Sequence, residues 1–172
     1  MQINGAHWHL LLNHFPIILS IIGTGFLFAS LFIKSKGFRK ASLFIIVLAG
    51  LFAIPAYNTG EAAEDVVENS TVVSETYLEQ HEEFALGALA AVIGAAVVAL
   101  IALGIMQWKS EWTGLMILLA FLASIIAAGF LGYTGYTGGK IMHAEIRNAA
   151  GSQTENMKSG NTEKLKKDYD DN

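Results

Sequence analysis

The sequence predicts an all-α membrane protein: a four-helix transmembrane bundle with a short surface helix before the third span and a flexible C-terminal tail. Three observations predict it. Of 172 residues, 53% are hydrophobic and only 15% are charged, more apolar than an average soluble domain. Asp, Glu, Lys and Arg are absent from Leu10 to Ile33, Ala41 to Gly60, Phe84 to Gln107 and Trp112 to Gly139. Each stretch reaches the roughly 20 residues that a helix rising about 1.5 Å per residue needs to cross a hydrocarbon core of about 30 Å. Helix is the expected form, because lipid offers no partner to backbone N–H and C=O groups, and the alternation of barrel strands is missing. Residues 1–147 form the four-span domain and 148–172 a polar tail.

The first span, about 10–33, follows Met1 to Trp8, which lacks the basic region of a cleavable signal sequence and is expected to be retained. Phe15-Pro16 falls in its first turns, where a missing N–H costs little. The loop after it carries Lys34, Lys36, Arg39 and Lys40 with no acid. By the positive-inside tendency it faces the cytoplasm, which sends both termini to the outer side. The second span, about 41–60, contains Pro55 near its outer end. Beyond it the segment from Glu61 to Glu83 carries eight carboxylates and no base, read as a solvated surface, with Glu75 to Glu83 as the short surface helix. The third span, about 84–107, offers Gly87, Ala91, Gly94 and Ala95 for close helix packing. The fourth, about 112–139, offers Ala128, Gly132 and Gly135. Trp8, Trp108 and Trp112 mark span ends at the headgroup level. The glycine-rich Tyr133 to Gly139 ends an apolar helix without the lysine-serine pair of a phosphate loop, so it reads as a helix terminus. Nucleic acid is not an expected partner; the lipid bilayer is.

Five histidines occur, and all fall at one membrane face: His7, His9 and His14 at the start of the first span, His81 before the third and His143 after the fourth. A neutral imidazole costs little at the interface and keeps a nitrogen free for a metal. His14, among Leu10, Leu11, Leu12 and Phe15, is expected to face protein or ligand; the competing reading is a ring hydrogen-bonded to Asn13 or to a neighbouring carbonyl. His7 reads as interfacial.

No cysteine is present, which excludes disulfides, thiolate metal sites, iron–sulfur clusters and covalent haem attachment within the chain. Haem b held by imidazoles from facing helices is compatible with it. His14 and His81 are the expected ligand pair, with His143 and His9 as a second pair or as propionate and proton-relay groups. Phe15, Phe84, Phe130 and Tyr133 are expected to wall the slot, and Lys140 and Arg147 to meet the propionates. The alternative is a metal ion among His9, His14, His81 and His143 and the carboxylates Glu61, Glu64, Glu82 and Glu145. No H-E-x-x-H pair occurs, and no nucleophile–base arrangement marks an enzyme.

From His9 to Ile17, with His14-Phe15-Pro16-Ile17 at its centre, the sequence resembles a bacterial four-span membrane family, domain of unknown function 2231. The likeness extends through Tyr57 to Ala62, His81 and Gly138 to His143, and covers about residues 6 to 147. Leu10 stands where many members carry proline. The resemblance implies a bacterial cytoplasmic membrane, a four-span fold and roles for His9, His14, His81 and His143. Members that look like fusions to c-type cytochromes imply redox work. The expected function is electron transfer between the quinone pool and an outer-side partner such as a c-type cytochrome. A proton or metal-ion transporter subunit is the alternative, and a scaffold without chemistry the third.

Overall fold

The computed structural model describes residues 4–67, 75–108 and 110–143. The first span is built from α1 (Gly5–Leu12) and α2 (His14–Phe32), the second is α3 (Lys36–Val67), the third α4 (Glu75–Trp108) and the fourth α5 (Thr113–Met142). A 3-10 turn, Ser110–Trp112, leads into α5. All four spans are long and apolar enough to cross a membrane, and no strand occurs among the described residues. The tail, Arg147 and Glu145 lie outside them.

Two boundaries differ from the sequence reading. The first span begins at Gly5, where Asn4 caps α1 by accepting the His7 backbone N–H at 3.2 Å. Pro16 therefore lies well inside the span, and because it has no N–H for the Leu12 carbonyl, the helix is interrupted at Asn13. The surface helix expected at Glu75 to Glu83 is the beginning of α4 itself. No Pro or Gly separates it from Phe84, so nothing stops the helix.

Each helix packs beside the next in the chain, and α5 returns to α2 to close the ring, while the diagonal α3–α5 pair barely meets. The bundle is made of two helix pairs with recurring buried positions, matched along the whole of α2 in α4 and along one stripe of α3 in α5. In α2 the buried residues are Pro16, Ser20, Gly23, Leu27 and Ser30. The residues 72 positions later in α4, Ala88, Val92, Ala95, Ala99 and Ala102, are buried too. Likewise Ser42, Ile46, Ala49 and Ala53 of α3 correspond, 78 positions on, to Ala120, Ser124, Ala127 and Leu131 of α5, all buried.

Of the small residues expected at close helix approach, Gly87 lies against Phe130 and Ala95 is buried in the core, and others do not take part. Gly94, Gly132 and Gly135 face open space, whereas a Cβ on Gly50 would meet that of Ala96, and one on Gly5 would meet Ala62. The end of the bundle near Lys36 is filled by Leu27, Leu43, Ile46, Met106 and Ile117, all almost fully buried. There Ser30 Oγ and Ser42 Oγ are 2.9 Å apart, and Arg39 Nε–H donates to the Ser30 carbonyl at 3.2 Å.

Candidate functional site

The opposite end holds the histidines. His9, on α1, donates from Nδ1–H to the Ala56 carbonyl of α3 at 3.0 Å. His81, on α4, donates from Nδ1–H to the Thr134 carbonyl of α5, also at 3.0 Å. A carbonyl oxygen can only accept, so each neutral ring carries its hydrogen on Nδ1 and keeps its lone pair on Nε2. That tautomer, fixed by a backbone carbonyl, is the one in which an imidazole binds a metal through Nε2.

The two settings are duplicates. The Thr59 hydroxyl lies 3.0 Å from the Ala56 carbonyl and 3.5 Å from His9 Nδ1, with its shorter contact, 2.8 Å, to the Pro55 carbonyl. The Thr134 carbonyl accepts from the Thr137 hydroxyl at 3.0 Å, and that hydroxyl lies 3.4 Å from His81 Nδ1. A glycine follows each threonine, and each lies against the Nδ1–Cε1 edge of its imidazole. A Cβ on Gly60 would be 3.5 Å from His9 Cε1, and one on Gly138 would be 3.0 Å from His81 Cε1.

Both rings line one apolar cleft of about 100 Å³ that opens to the outside. Its walls repeat in the same register as the buried faces. A shift of 72 residues carries His9, Asn13, Pro16 and Ile17 onto His81, Ala85, Ala88 and Leu89. A shift of 78 carries Ala53, Ala56 and Tyr57 onto Leu131, Thr134 and Gly135, and these residues complete the lining.

Of the residues singled out by sequence, His9 and His81 come together and His14 does not join them. The preferred pair His14–His81 is corrected accordingly. His14 is exposed on the bundle surface, and its Nδ1–H donates to the Leu10 carbonyl at 2.9 Å. The interruption at Asn13 leaves carbonyls in this turn needing partners, so the competing local reading of His14 is the one observed. His7 makes a 2.6 Å contact to Asn4 Oδ1 as part of the α1 cap. His143 is the exposed residue that ends α5, its N–H bonded to the Gly139 carbonyl. Lys140 places Nζ 4.4 Å from the Tyr136 ring centroid and 5.3 Å from that of Tyr77. Arg147 is outside the described residues.

The expected aromatic walls are elsewhere. Phe15 stacks on Phe52, Phe84 meets Tyr133 edge-on, and Phe130 covers Gly87. Glu61 is exposed, while the Glu64 carboxyl of α3 lies within hydrogen-bonding reach of the Glu82 carboxyl of α4. No group of three or more His, Cys, Asp or Glu residues with metal-binding geometry occurs among the described residues. Sequence reasoning passed over Asn13, Tyr57, Thr59 and Thr137. The signal for the threonines was present as the Thr59-Gly60 and Thr137-Gly138 dipeptides, each closing an even-numbered span.

Residues 5–146 match the family model described as "Predicted membrane protein (DUF2231)". The chain belongs to that family and is a multi-pass membrane protein. No curated protein and no solved structure matches it.

Proposed function

We propose that this family member is an electron-transfer subunit that holds haem b between His9 and His81. It would exchange electrons between the quinone pool and a redox protein, such as a c-type cytochrome, at the histidine-bearing side. The observation that carries the reading is the pair of Nδ1–carbonyl locks, which leave an unbonded Nε2 on each of two imidazoles that line a single apolar cleft. The donor set favours haem over a bare ion. Two imidazoles complete an octahedron whose other four positions are porphyrin nitrogens, whereas a structural zinc site needs four protein ligands. Haem b supplies the one-electron couple.

The chain's own residues do the rest. Ala56 and Thr134 orient the imidazoles, Thr59 and Thr137 polarise the same carbonyls, and the apolar walls exclude water. Lys140 contributes positive charge at this end. In this reading the bundle sits in a bacterial cytoplasmic membrane, and the basic first loop supports an orientation with both termini outside.

The test is the absorption spectrum of the dithionite-reduced protein after expression with haem supply. A Soret band with split α and β bands is expected, lost in His9→Ala and in His81→Ala and retained in His14→Ala. A colourless wild type, or full pigment in His81→Ala, would remove the proposal. A second reading, a proton or metal-ion transporter subunit, is favoured by the close approach of the Glu64 and Glu82 carboxyls between α3 and α4. Under it Glu64→Gln stops flux into liposomes, and pigment is irrelevant.

A further inference from the structure

The cleft is duplicated in its framework and different in its polar groups. The shift that carries His9 onto His81 carries Asn13 onto Ala85, and the one that carries Ala56 onto Thr134 carries Tyr57 onto Gly135. One wall therefore has a carboxamide and a phenol where the other has a methyl group and a hydrogen. Within that wall Asn13 Oδ1 is buried and has no hydrogen-bond partner among the described residues. A buried carboxamide oxygen without a partner costs about 1–3 kcal/mol. In a protein of this size such a group calls for a specific explanation.

The arrangement of the helices gives the cleft an axis. In a ring ordered α2, α3, α4, α5, a register that relates α2 to α4 and α3 to α5 is that of parallel repeats about an axis along the bundle. His9 and His81 occupy equivalent positions in that register. A ligand gripped by both imidazoles thus has two orientations that the framework alone cannot distinguish.

We infer that His9 and His81 form one shared site on this axis, taking a single ligand per chain, and that Asn13 selects the orientation by hydrogen-bonding a polar edge of that ligand. The identification of the ligand as haem rests on the function proposed above; the shared site and the role of Asn13 do not. The amide serves either polarity, since turning it about its last bond presents Nδ2–H to a carboxylate in place of Oδ1 to a donor. Ala85 and Gly135 offer nothing comparable, and the Thr134 hydroxyl of that wall already donates to the Phe130 carbonyl at 2.9 Å, so the polar edge lies on the α1–α3 side.

Two probes on the full chain in detergent test this. Haemin is titrated by absorbance, and the bound form is inspected by proton NMR for the haem methyl signals that distinguish its two faces. Copper(II), which binds imidazole without a porphyrin, is titrated in parallel by electron paramagnetic resonance. The expected result is one copper per chain, lost in His9→Ala and equally in His81→Ala, and one haemin with one dominant set of methyl signals. Asn13→Ala is expected to weaken haemin about tenfold and to bring the two sets toward equality. Moving the amide across the axis, with Asn13→Ala and Ala85→Asn together, is expected to restore affinity and reverse the preference. A wild type that binds one shared copper but no haemin retains the common site and discards the haem. Two independent copper sites, no binding of either probe, or an Asn13→Ala variant identical to wild type in haemin affinity and methyl ratio would overturn the inference.

Discussion

The two ends of the bundle are made of the same four helices and differ in the size of what those helices point inward. Near Lys36 the interior is Leu27, Leu43, Ile46, Met106 and Ile117, and two serines and an arginine tie the helix ends together. Around His9 and His81 the lining sets Ala53, Ala56, Ala85 and Ala88 among the larger Ile17, Leu89 and Leu131, and the space left over is the cleft. In lipid there is no hydrophobic drive between helices, so packing contacts and interhelical hydrogen bonds hold the bundle. The filled end supplies them, and the histidine end gives up contacts to keep room. Stability and binding are thereby placed at opposite ends.

The largest test of that division exchanges the two characters. Leu27→Ala is expected to destabilise the bundle by about 2 kcal/mol, the low end of the ~2–5 kcal/mol range for such truncations. The low end applies because lipid removes the transfer component and leaves the cavity. Ligand binding at the far end should be unchanged. Ala88→Leu, by contrast, fills the cleft and is expected to abolish haemin binding while the thermal midpoint holds or rises. Thermal unfolding in detergent followed alongside haemin titration checks both, and a Leu27→Ala variant that loses its ligand at full stability would collapse the distinction.

A finer comparison lies within the cleft, between its two glycines. A methyl on Gly138 would sit 3.0 Å from His81 Cε1 and must displace the ring, whereas one on Gly60 would sit at an ordinary 3.5 Å from His9 Cε1. Overpacking of this kind costs about 1–3 kcal/mol. Displacing the ring also weakens its 3.0 Å bond to the Thr134 carbonyl. Gly138→Ala is expected to lower haemin affinity at least tenfold and Gly60→Ala less than threefold. Equal effects would mean that the imidazoles are not held by their glycines.

Charge-free length made the spans legible, because the membrane criterion acts on a whole stretch and tolerates error at its ends. The ends themselves were less so. Pro16 sits in the third turn after Gly5, and only the start of α1 at the Asn4 cap reveals that it interrupts a helix. The histidines were legible as residues gathered at one face, but the pair was misjudged. His14 drew attention because its sequence neighbours are apolar, yet apolar neighbours on a lipid-exposed helix say nothing about which side faces the bundle. His9, one residue from Trp8, ranked behind His14 as a second-pair or relay group, and its contact with Ala56 spans 47 residues. The duplication was present in the sequence at two different spacings, 72 and 78 residues. A search at one fixed period misses it, because the connection within each helix pair differs in length.

The smallest test returns to the filled end. Ser42 Oγ donates to the Phe38 carbonyl at 2.8 Å and faces Ser30 Oγ at 2.9 Å, while Ser30 Oγ also reaches the Phe26 carbonyl at 2.9 Å. Each hydroxyl already has a partner on its own helix, so Ser42→Ala removes the interhelical contact and leaves Ser30 satisfied. Interhelical hydrogen bonds in membrane proteins average about 0.6 kcal/mol. The expected loss is of that size, read as a small drop in thermal midpoint with no change in haemin affinity. A loss several times larger would mean that this pair is the main clamp of the bundle and that the buried leucines and isoleucines around it contribute less than their packing implies.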